Sequence, residues 1–385
     1  MYFTEGKESQ INDLLNRIGA KLQLDKTRKE RVDTSYNALC EWIRNDEGYF
    51  SNFENLDFYA QGSYRTLTTV KPLAEEEFDL DFVLEISGDW KNENPLTLLK
   101  QLERRFKEHE IYKTLVEVKN RCIRINYANE FHIDILPGFP EYSLTLNNKL
   151  KVPDRNDNDW TDSNPKDYSK WFDDMCNKFQ NILMEKRITA SVEPLPEAPP
   201  YGYIEPLRRS VQLMKRFRDV YYKDKDSSGV RSIVLTTLAG TYYNGEDNEY
   251  TAISNILKCI QDEINKSNGT PLEILNPANP AERLSEKWDS EPETYKDFCK
   301  FIDDFKNKWS NLMKLESLKS KAIVLQELFG ETVSQQVLKE QAEYINKSRS
   351  NGKLGVSTST GILTFLNENS SNNLKVVTKN TFFGE

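Results

Sequence analysis

Residues 78–86 read Phe-Asp-Leu-Asp-Phe-Val-Leu-Glu-Ile, an apolar run with aspartates at positions 79 and 81. Side chains alternate between the two faces of a strand, so Asp79 and Asp81 share one face while Leu80 and Phe82 enter a core. We therefore expect the two carboxylates to converge on solvent. Two hard oxygen ligands held on a rigid strand suit Mg²⁺.

A third carboxylate lies in residues 131–138, Phe-His-Ile-Asp-Ile-Leu-Pro-Gly, where Asp134 occupies the middle of a second short apolar strand. The turn Gln61-Gly62-Ser63 precedes both strands. Gly62 would let the backbone approach a triphosphate, and the Ser63 hydroxyl would donate to its oxygens. Alone, a Gly-Ser pair is usually an ordinary turn and an Asp-x-Asp strand usually a solvated face. In this order they predict a two-metal phosphoryl-transfer centre.

The composition predicts a soluble globular protein. With 385 residues, 37% of them hydrophobic, the chain can bury a sizeable core, and its length suggests two or three domains or one composite unit. No apolar run approaches the ~20 residues of a membrane span, and the first residues lack a basic region followed by an apolar stretch. We therefore expect a cytoplasmic protein with no membrane partner.

Charge and the rarer residues argue against several classes of function. The net charge of −9 opposes binding of a polyanion over the whole surface, so no nucleic acid is required and any basic site is local. With only His109 and His132, the chain does not suggest a histidine-centred nucleophile triad. The five cysteines lack zinc or disulfide spacing and are expected to be buried free thiols: Cys40, Cys122, Cys176, Cys259 and Cys299.

The periodicity changes along the chain from helical to alternating and back to helical. Residues 11–22 and 36–43 carry apolar side chains at helical spacing. We then expect strands at 58–60, 78–86, 115–118, 122–127, 131–136 and 142–146, with a helix at 95–110. Residues 153–164, rich in Asp and Asn, predict a loop, and the proline-rich residues 194–206 predict a linker. Further helices are expected at 205–222, 232–243, 250–266, 280–287, 295–315 and 318–329.

A local basic site is expected on the helix at 205–222. Arg208, Gln212, Lys215 and Asp219 follow one another at spacings of four, three and four, which aligns them in one polar stripe. A solvated surface helix has the same pattern. Ser232 begins the next helix, where a serine either binds phosphate beside free backbone N–H groups or serves only as an N-cap.

These residues resemble the polymerase-β-like nucleotidyltransferase superfamily and, within it, the bacterial cGAS/DncV-like nucleotidyltransferases, or CD-NTases. The similarity extends through most of the chain. Fifteen residues separate Ser63 from Asp79, a longer spacing than is general in the superfamily but similar to the CD-NTase version. The similarity rests on segments 61–66, 78–81, 131–134, 152–154, 164–172, 211–219 and 276–280, the last reading Asn-Pro-Ala-Asn-Pro.

The resemblance implies an α+β fold in three parts. A polymerase-β-like core, a mixed sheet with flanking helices, would occupy residues 1–195. A helical domain of the oligoadenylate-synthetase/cGAS type would follow over 196–346, and a flexible tail over 347–385. The implied activity joins nucleoside triphosphates, ATP among them, into a cyclic di- or trinucleotide second messenger with release of pyrophosphate, in bacterial anti-phage signalling.

The resemblance also implies the roles of the acidic residues. Asp79, Asp81 and Asp134 would be catalytic and would bind two Mg²⁺ ions, with Mn²⁺ as an alternative. Asp134 would bind the ion that lowers the pKa of the attacking ribose hydroxyl and would accept its proton. His132 shares the strand face of Asp134, where it either contacts that carboxylate or an acceptor nucleotide or, more commonly for such a histidine, only packs.

Nucleotide-binding residues follow from the same resemblance. Gln61, Gly62 and Ser63 would bind nucleotide, Lys215 would reach the donor triphosphate, and Ser232 would bind phosphate. Family members with a base-stacking tyrosine directly after that serine differ from this chain, which has isoleucine at position 233. The stacking residue is therefore left unassigned.

Two other functions and a regulatory partner stay open at this point. A nucleotidyltransferase acting on a linear oligonucleotide, a tRNA or a small molecule would need the same centre, whereas three intact aspartates disfavour an inactive nucleotide-binding scaffold. CD-NTases resembling this chain are often encoded with conjugation enzymes or peptide-binding regulators that act near the C-terminus. The closing residues 382–385, Phe-Phe-Gly-Glu, would either contact such a partner or pack back on the enzyme.

Overall fold

The structure is a computed structural model. It describes residues 7–73, 77–127, 130–141, 148–178, 201–225, 227, 229–315, 317–357, 363–365 and 374–376. The expected strand at 142–146, residues 194–200 of the expected linker and the aromatic end at 382–385 lie outside the described residues. Across the described ranges we find no helix that combines the length and apolar character of a membrane span.

A mixed sheet of seven strands lies in the first half of the described chain, together with helices that are given below. Its strands are β1 (Leu56–Gln61), β2 (Phe78–Ile86), β3 (Val116–Val118), β4 (Ile123–Tyr127), β5 (Phe131–Pro140), β6 (Leu150–Asp154) and β7 (Asp159–Ser163). They lie in the order β1-β2-β5-β4-β3, with β6 beside β5 and β7 beside β6. Strands β2 and β5 are parallel, and their other neighbours are antiparallel.

Helices surround this sheet and form the second half. They are α1 (Lys7–Lys21), α2 (Lys26–Arg44), α3 (Gly62–Arg65), α4 (Pro95–Lys107), α5 (Pro165–Cys176), α6 (Pro206–Tyr222), α7 (Ser232–Tyr242), α8 (Glu249–Lys266), α9 (Lys287–Ser290), α10 (Pro292–Lys314), α11 (Leu318–Phe329) and α12 (Glu331–Ser350). Polar side chains cap several starts, since Asp25, Asn94, Asn164 and Asn248 each accept a backbone N–H three residues on.

Two large hydrophobic cores and a smaller cluster that includes Tyr59 and Val83 hold the described elements together. The first lies between the sheet and helices α2 and α4, and includes Leu39, Phe82 and Leu102. The second lies among the helices that follow the sheet. Helix α1 belongs to this second core through Leu15, and α5 through Phe172. The boundary expected at residue 195 therefore does not separate the two cores, because an apolar helix face does not reveal which partner will cover it.

Two small sheets complete the described chain. A hairpin of β8 (Leu275–Asn276) and β9 (Asn279–Arg283) follows α8, and β10 (Leu354–Ser357), β11 (Leu363–Phe365) and β12 (Leu374–Val376) form a three-stranded sheet. These three strands and the end of α12 lie within residues 347–385, where a flexible tail was expected. Leu354, which is buried, pairs with Phe365, so apolar residues at strand spacing order a segment that is otherwise polar.

Two further elements differ from the sequence expectation. Residues 153–164 form the end of β6, a turn and β7 rather than a loop, because the Asp154 carboxylate accepts the backbone N–H groups of Asn156 and Asp157 and closes the turn. Residues 280–287 form β9 and the start of α9 rather than one helix. All five cysteines are free, as predicted, although only Cys40 and Cys176 are fully buried.

Candidate active site

Four polar side chains form a row across the middle of the sheet. Gln61 pairs with Asp81, Asp81 pairs with Asp134 on the parallel strand β5, and Asp134 pairs with Arg124 on β4. Neighbouring strands are separated by about 4.8 Å, so residues in register present their side chains together on one face. Asp79 lies two residues before Asp81 and joins the same face.

One cavity of about 630 Å³ opens over this row, between the sheet and the helices that follow it. The structure brings all eight sequence-predicted site residues to its lining: Gln61, Gly62, Ser63, Asp79, Asp81, Asp134, Lys215 and Ser232. Residues separated by more than 150 positions therefore meet in one site. Local spacing and the family resemblance together predicted the members of this set, and the parallel pairing of β2 with β5 brings its carboxylates together.

Arg124 lies among the carboxylates and was missed by the sequence analysis. Its guanidinium donates from Nε to Asp134 Oδ1 at 2.7 Å and from Nη2 to Asp134 Oδ2 at 2.8 Å. The same Nη2 donates to Asp79 Oδ1 at 3.1 Å. Such paired contacts are the strongest that a carboxylate makes with a side chain. The alternation of β4, Ile-Arg-Ile-Asn-Tyr over 123–127, would have placed Arg124 on the polar face, although not opposite Asp134.

The donor set at the row fits a divalent cation. Asp79 is exposed, as expected, but Asp81 is half-buried, so the two carboxylates do not both face solvent. Burial, then Asp134, then Asp79 raise the pKa of Asp81 to about 7. A cation would relieve this repulsion. Within the described ranges no group of three acidic, histidine or cysteine side chains already stands in ligand geometry, since Arg124 bridges two of the carboxylates.

Gly62 brings the chain close to Asp81. Its φ is +59°, a conformation that side-chain-bearing residues rarely adopt, and a Cβ added there would lie 2.4 Å from Asp81 Oδ2. The predicted Gly-Ser turn is in fact the first turn of the short helix α3. Glycine at this position thus lets the backbone and the carboxylate share a space that any larger residue would fill.

A threonine-rich loop, residues 66–69, follows α3 and lines the same cavity. Ser63 Oγ lies 3.1 Å from Thr69 Oγ1, and Thr66 Oγ1 lies 3.0 Å from Thr68 Oγ1. Lys215 Nζ donates to Thr68 Oγ1 at 2.9 Å and to the Thr68 carbonyl at 3.2 Å. Burial lowers the pKa of Lys215 to about 7, and the nearby Arg218 charge adds to this effect.

The polar stripe of α6 is buried rather than solvated. Arg208 donates to Asp173 Oδ1 at 2.7 Å and to the Thr66 carbonyl, and Gln212 Nε2 donates to the Leu67 carbonyl at 3.0 Å. The stripe therefore binds the threonine-rich loop through hydrogen bonds to successive backbone carbonyls. The surface-helix interpretation of this pattern is wrong, because the sequence does not show that the loop would pack against α6.

Ser232 and His132 have partners that the sequence did not suggest. Ser232 is the first helical residue of α7 rather than its N-cap, which is Arg231, and its hydroxyl accepts a hydrogen bond from Arg218. His132 Nε2 lies 2.6 Å from Glu77 Oε2 at the rim of the cavity. The carboxylate that His132 contacts is thus that of Glu77 rather than Asp134.

The opposite wall of the cavity includes the β8–β9 hairpin, which the sequence analysis assigned no role. Asn276 and Glu282 line the cavity there, as does Tyr168 of α5. Asn276 Nδ2 donates to Glu282 Oε2 at 2.7 Å. Burial raises the pKa of Glu282, and the hydrogen bond from Asn276 acts in the opposite direction. The Asn-Pro-Ala-Asn-Pro segment at 276–280 indicates a turn. Because a helix was expected at 280–287, the hairpin around this turn was not predicted.

Similarity to known proteins agrees with this geometry. Residues 9–176 match the profile of the Second Messenger Oligonucleotide or Dinucleotide Synthetase domain. The chain is 34% identical over 387 residues to the c-di-GMP synthase of Roseivirga ehrenbergii, with 100% of each chain covered. The chain belongs to the cGAS/DncV-like nucleotidyltransferases. As a CD-NTase it is a cyclic oligonucleotide synthase that uses nucleoside triphosphates, and the family uses divalent metal ions.

Solved CD-NTase structures share the fold. Bradyrhizobium diazoefficiens CdnG, in complex with GTP, matches with a TM-score of 0.68 at 20% identity, covering 86% of this chain and 99% of that one. Vibrio cholerae DncV in its GTP-bound form matches with a TM-score of 0.56 at 16% identity, covering 86% and 88%. The predicted α+β fold, a nucleotidyltransferase core with a helical domain, is thereby confirmed.

Proposed function

We propose that this CD-NTase converts two molecules of GTP into c-di-GMP. The observation that carries the proposal is the meeting of Asp79, Asp81 and Asp134 in one cavity with Ser63 and Lys215. Guanine is favoured because the Roseivirga relative, similar over its full length, is a c-di-GMP synthase. In each of two steps a ribose hydroxyl oxygen bonds to an α-phosphorus, the bond from that phosphorus to the bridging oxygen breaks, and pyrophosphate leaves.

Different residues of the chain have different roles in each step. Asp79, Asp81 and Asp134 would hold two divalent ions, Mg²⁺ or Mn²⁺, which when bound lower the pKa of the attacking hydroxyl and offset charge on the leaving group. A carboxylate oxygen of Asp134 accepts the proton of that hydroxyl. Gly62 allows the backbone to approach the triphosphate, and Ser63 donates to its oxygens.

Lys215 and Ser232 position the donor triphosphate from the helical side. Lys215 already holds Thr68, so its ammonium both fixes the threonine-rich loop and places positive charge at the cavity wall. Ser232 is the first residue of α7, and the leading N–H groups of a helix, which have no carbonyl partner within it, can bind phosphate. Arg218, which donates to Ser232, adds a second cation at that wall.

Product analysis tests this function. The purified protein is incubated with each radiolabelled triphosphate and with all four, in Mg²⁺ or Mn²⁺, and the products are treated with phosphatase before chromatography. We expect a phosphatase-resistant product from GTP alone that co-migrates with c-di-GMP. Exclusively phosphatase-sensitive linear products, or label transferred to tRNA or a small molecule, would favour the other nucleotidyltransferase functions.

We further propose a role in anti-phage signalling with a regulator or conjugation enzyme that binds the C-terminal tail. The proposal rests on the resemblance to CD-NTases alone. Deletion of residues 380–385 is expected to spare synthesis in vitro and to eliminate regulator binding or conjugation. Plaque counts on cells carrying the wild type or a variant without the three aspartates test the defence role; equal counts would contradict it.

A further inference from the structure

The β8–β9 hairpin presents a carboxylate to the cavity whose orientation is fixed by a second side chain. The backbone N–H of Ala278 donates to Asn276 Oδ1 at 2.9 Å, which leaves Asn276 Nδ2 to face Glu282. Nδ2 then donates to Glu282 Oε2 at 2.7 Å. Asn276 is 3% exposed, so this pair is a built feature of the wall rather than a mobile surface contact.

The acceptor capacity of Glu282 is not used up within the protein. Its Oε1 atom has no hydrogen-bond partner among the residues that the structure describes, and Oε2 keeps a second lone pair. The charges that act on it are those of Arg121, Glu286 and Arg231, and the two arginines are the cations among them. Each is engaged elsewhere, Arg121 with Asp154 at 2.7 Å and Arg231 with Glu286 at 3.3 Å. A ligand in the cavity therefore meets a carboxylate that accepts hydrogen bonds.

A carboxylate in a nucleotide site binds hydrogen-bond donors and repels phosphate. The Watson–Crick edge of guanine offers two adjacent donors, N1–H and the N2 amino group, which match the two oxygens of one carboxylate. Adenine offers one donor, N6, beside the N1 lone pair, and that lone pair opposes a carboxylate oxygen. Reading of a base by hydrogen bonds to this edge is the usual means by which enzymes select it.

We propose that Glu282, oriented by Asn276, binds the Watson–Crick edge of guanine and selects GTP in one of the two nucleotide positions. This inference rests on the proposed function, because it assumes that GTP is the substrate. Glu282 is a specificity-determining residue that touches the base, while Asn276 is a positioning residue.

Initial rates with GTP, inosine triphosphate and ATP test the inference on the wild type and on Glu282→Gln. Inosine triphosphate lacks only the N2 amino group, so wild-type kcat/KM is expected to fall about 10-fold with it. Glu282→Gln is expected to lower kcat/KM for GTP about 10- to 100-fold, mainly through KM, and to bring the GTP to inosine triphosphate ratio toward one. A partial gain with ATP is expected, since glutamine donates to adenine N1.

Glu273→Gln is the matched control, because Glu273 precedes the same hairpin, is 65% exposed and does not line the cavity. It should leave all three substrates unchanged. Equal use of GTP and inosine triphosphate by the wild type would overturn the inference without any variant, as would a Glu282→Gln protein of normal Tm that keeps the ratio. Absence of c-di-GMP from the wild type would instead overturn the proposed function.

Discussion

At the residue scale, the position of Asp81 depends on the absence of a side chain at Gly62. A Cβ at that position would meet Asp81 Oδ2 at 2.4 Å, and the φ of +59° adds a strain of its own. A methyl group added at Gly62 would therefore collide with the Asp81 carboxylate, and it would also strain the backbone at position 62. The two effects can be separated with a second glycine of the same chain.

We predict that Gly62→Ala abolishes most synthesis while lowering the free energy of unfolding by about 1–2 kcal/mol, the cost of a left-handed conformation for alanine. Gly269→Ala is the control, because Gly269 has a φ of +87° with no atom within 4 Å of an added Cβ. It should show a similar loss of stability with full activity. Product yield and urea unfolding measure both; an active Gly62→Ala protein would contradict the close packing of Asp81.

Arg124 places a cationic group where a divalent ion would also be attracted. Its contacts at 2.7 and 2.8 Å to Asp134 and at 3.1 Å to Asp79 hold two of the three carboxylates. A guanidinium and a metal ion at the same oxygens repel each other by an amount on the order of 1 to 4 kcal/mol at short range. The arginine thus stabilises the metal-free site and opposes metal binding.

Replacing Arg124 by methionine is predicted to tighten Mn²⁺ binding about 10-fold or more in the absence of nucleotide. Arg124→Lys keeps the charge without the paired geometry and should fall between methionine and the wild type. Free Mn²⁺, followed by electron paramagnetic resonance, gives the affinities. Identical affinities for all three proteins would show that Arg124 does not compete with the metal.

Sequence spacing was sufficient to predict that the three aspartates belong to one site, but it did not predict the residues around them. Alternation alone places Asp79 and Asp81 on one face, and the apolar strand at 131–136 carries Asp134 on its polar face. Arg124 and Glu282 act through partners set by strand register and by a hairpin from the helical half. The alternation of β4 and the turn at 276–280 are local signals, but neither shows which side chain the residue will contact, so neither residue was predicted.

At the element scale, α6 fixes the threonine-rich loop that leads out of α3. Gln212 holds the Leu67 carbonyl at 3.0 Å and Lys215 holds Thr68 at 2.9 Å, so one helix face orders consecutive loop residues. Leu67 has a φ of +54°, a conformation that persists only when neighbouring contacts impose it. The loop in turn positions Ser63 through Thr69.

Lys215→Ala and Ser232→Ala are each predicted to raise the KM for triphosphate and to lower kcat modestly, by about 10-fold or less. In the proposed function both side chains bind the donor phosphates in the ground state as well as in the transition state, so their loss should affect binding first. Lys223→Ala, an exposed lysine just after α6, is the control and should match the wild type. Unchanged constants in either variant would assign that residue a structural role.

Element boundaries followed from periodicity where one face was strongly apolar. Helices α4, α6 and α11 lie within three residues of their expected bounds. The helix α12 was missed because several of its buried positions are polar, among them Ser334, Gln341 and Ser348. The hairpin at 150–163 was missed because its turn residues outnumber its apolar ones. In both cases the element is stabilised by packing contacts that the local sequence pattern does not show.

At the scale of the whole molecule, the N-terminal helix joins the two halves. Leu15 and Ile18 of α1 are fully buried in the second core, although the strands of the first core begin only at Leu56. Arg209 of α6 donates to Asn16 at 2.6 Å and fixes the helix from the other side. The second core therefore depends on a helix that precedes the whole sheet in sequence.

We predict that Leu15→Ala lowers the free energy of unfolding by about 2–5 kcal/mol, the usual cost of truncating a buried leucine. Ala20→Ser, on the exposed side of the same helix, should change it by less than about 0.5 kcal/mol. Urea denaturation followed by circular dichroism measures both. A Leu15→Ala loss below about 1 kcal/mol would show that α1 does not pack in the second core.

Asp79, Asp81 and Asp134 form the proposed nucleotidyl-transfer centre, and the double variant Asp79→Asn with Asp81→Asn tests this assignment most directly. Neutralising two carboxylates that repel each other should leave Tm unchanged or slightly higher, since Arg124 keeps its contact with Asp134. Product formation from labelled GTP and Tm are measured on the same sample. We predict no cyclic product at a wild-type Tm; retained turnover at a wild-type Tm would contradict the assignment.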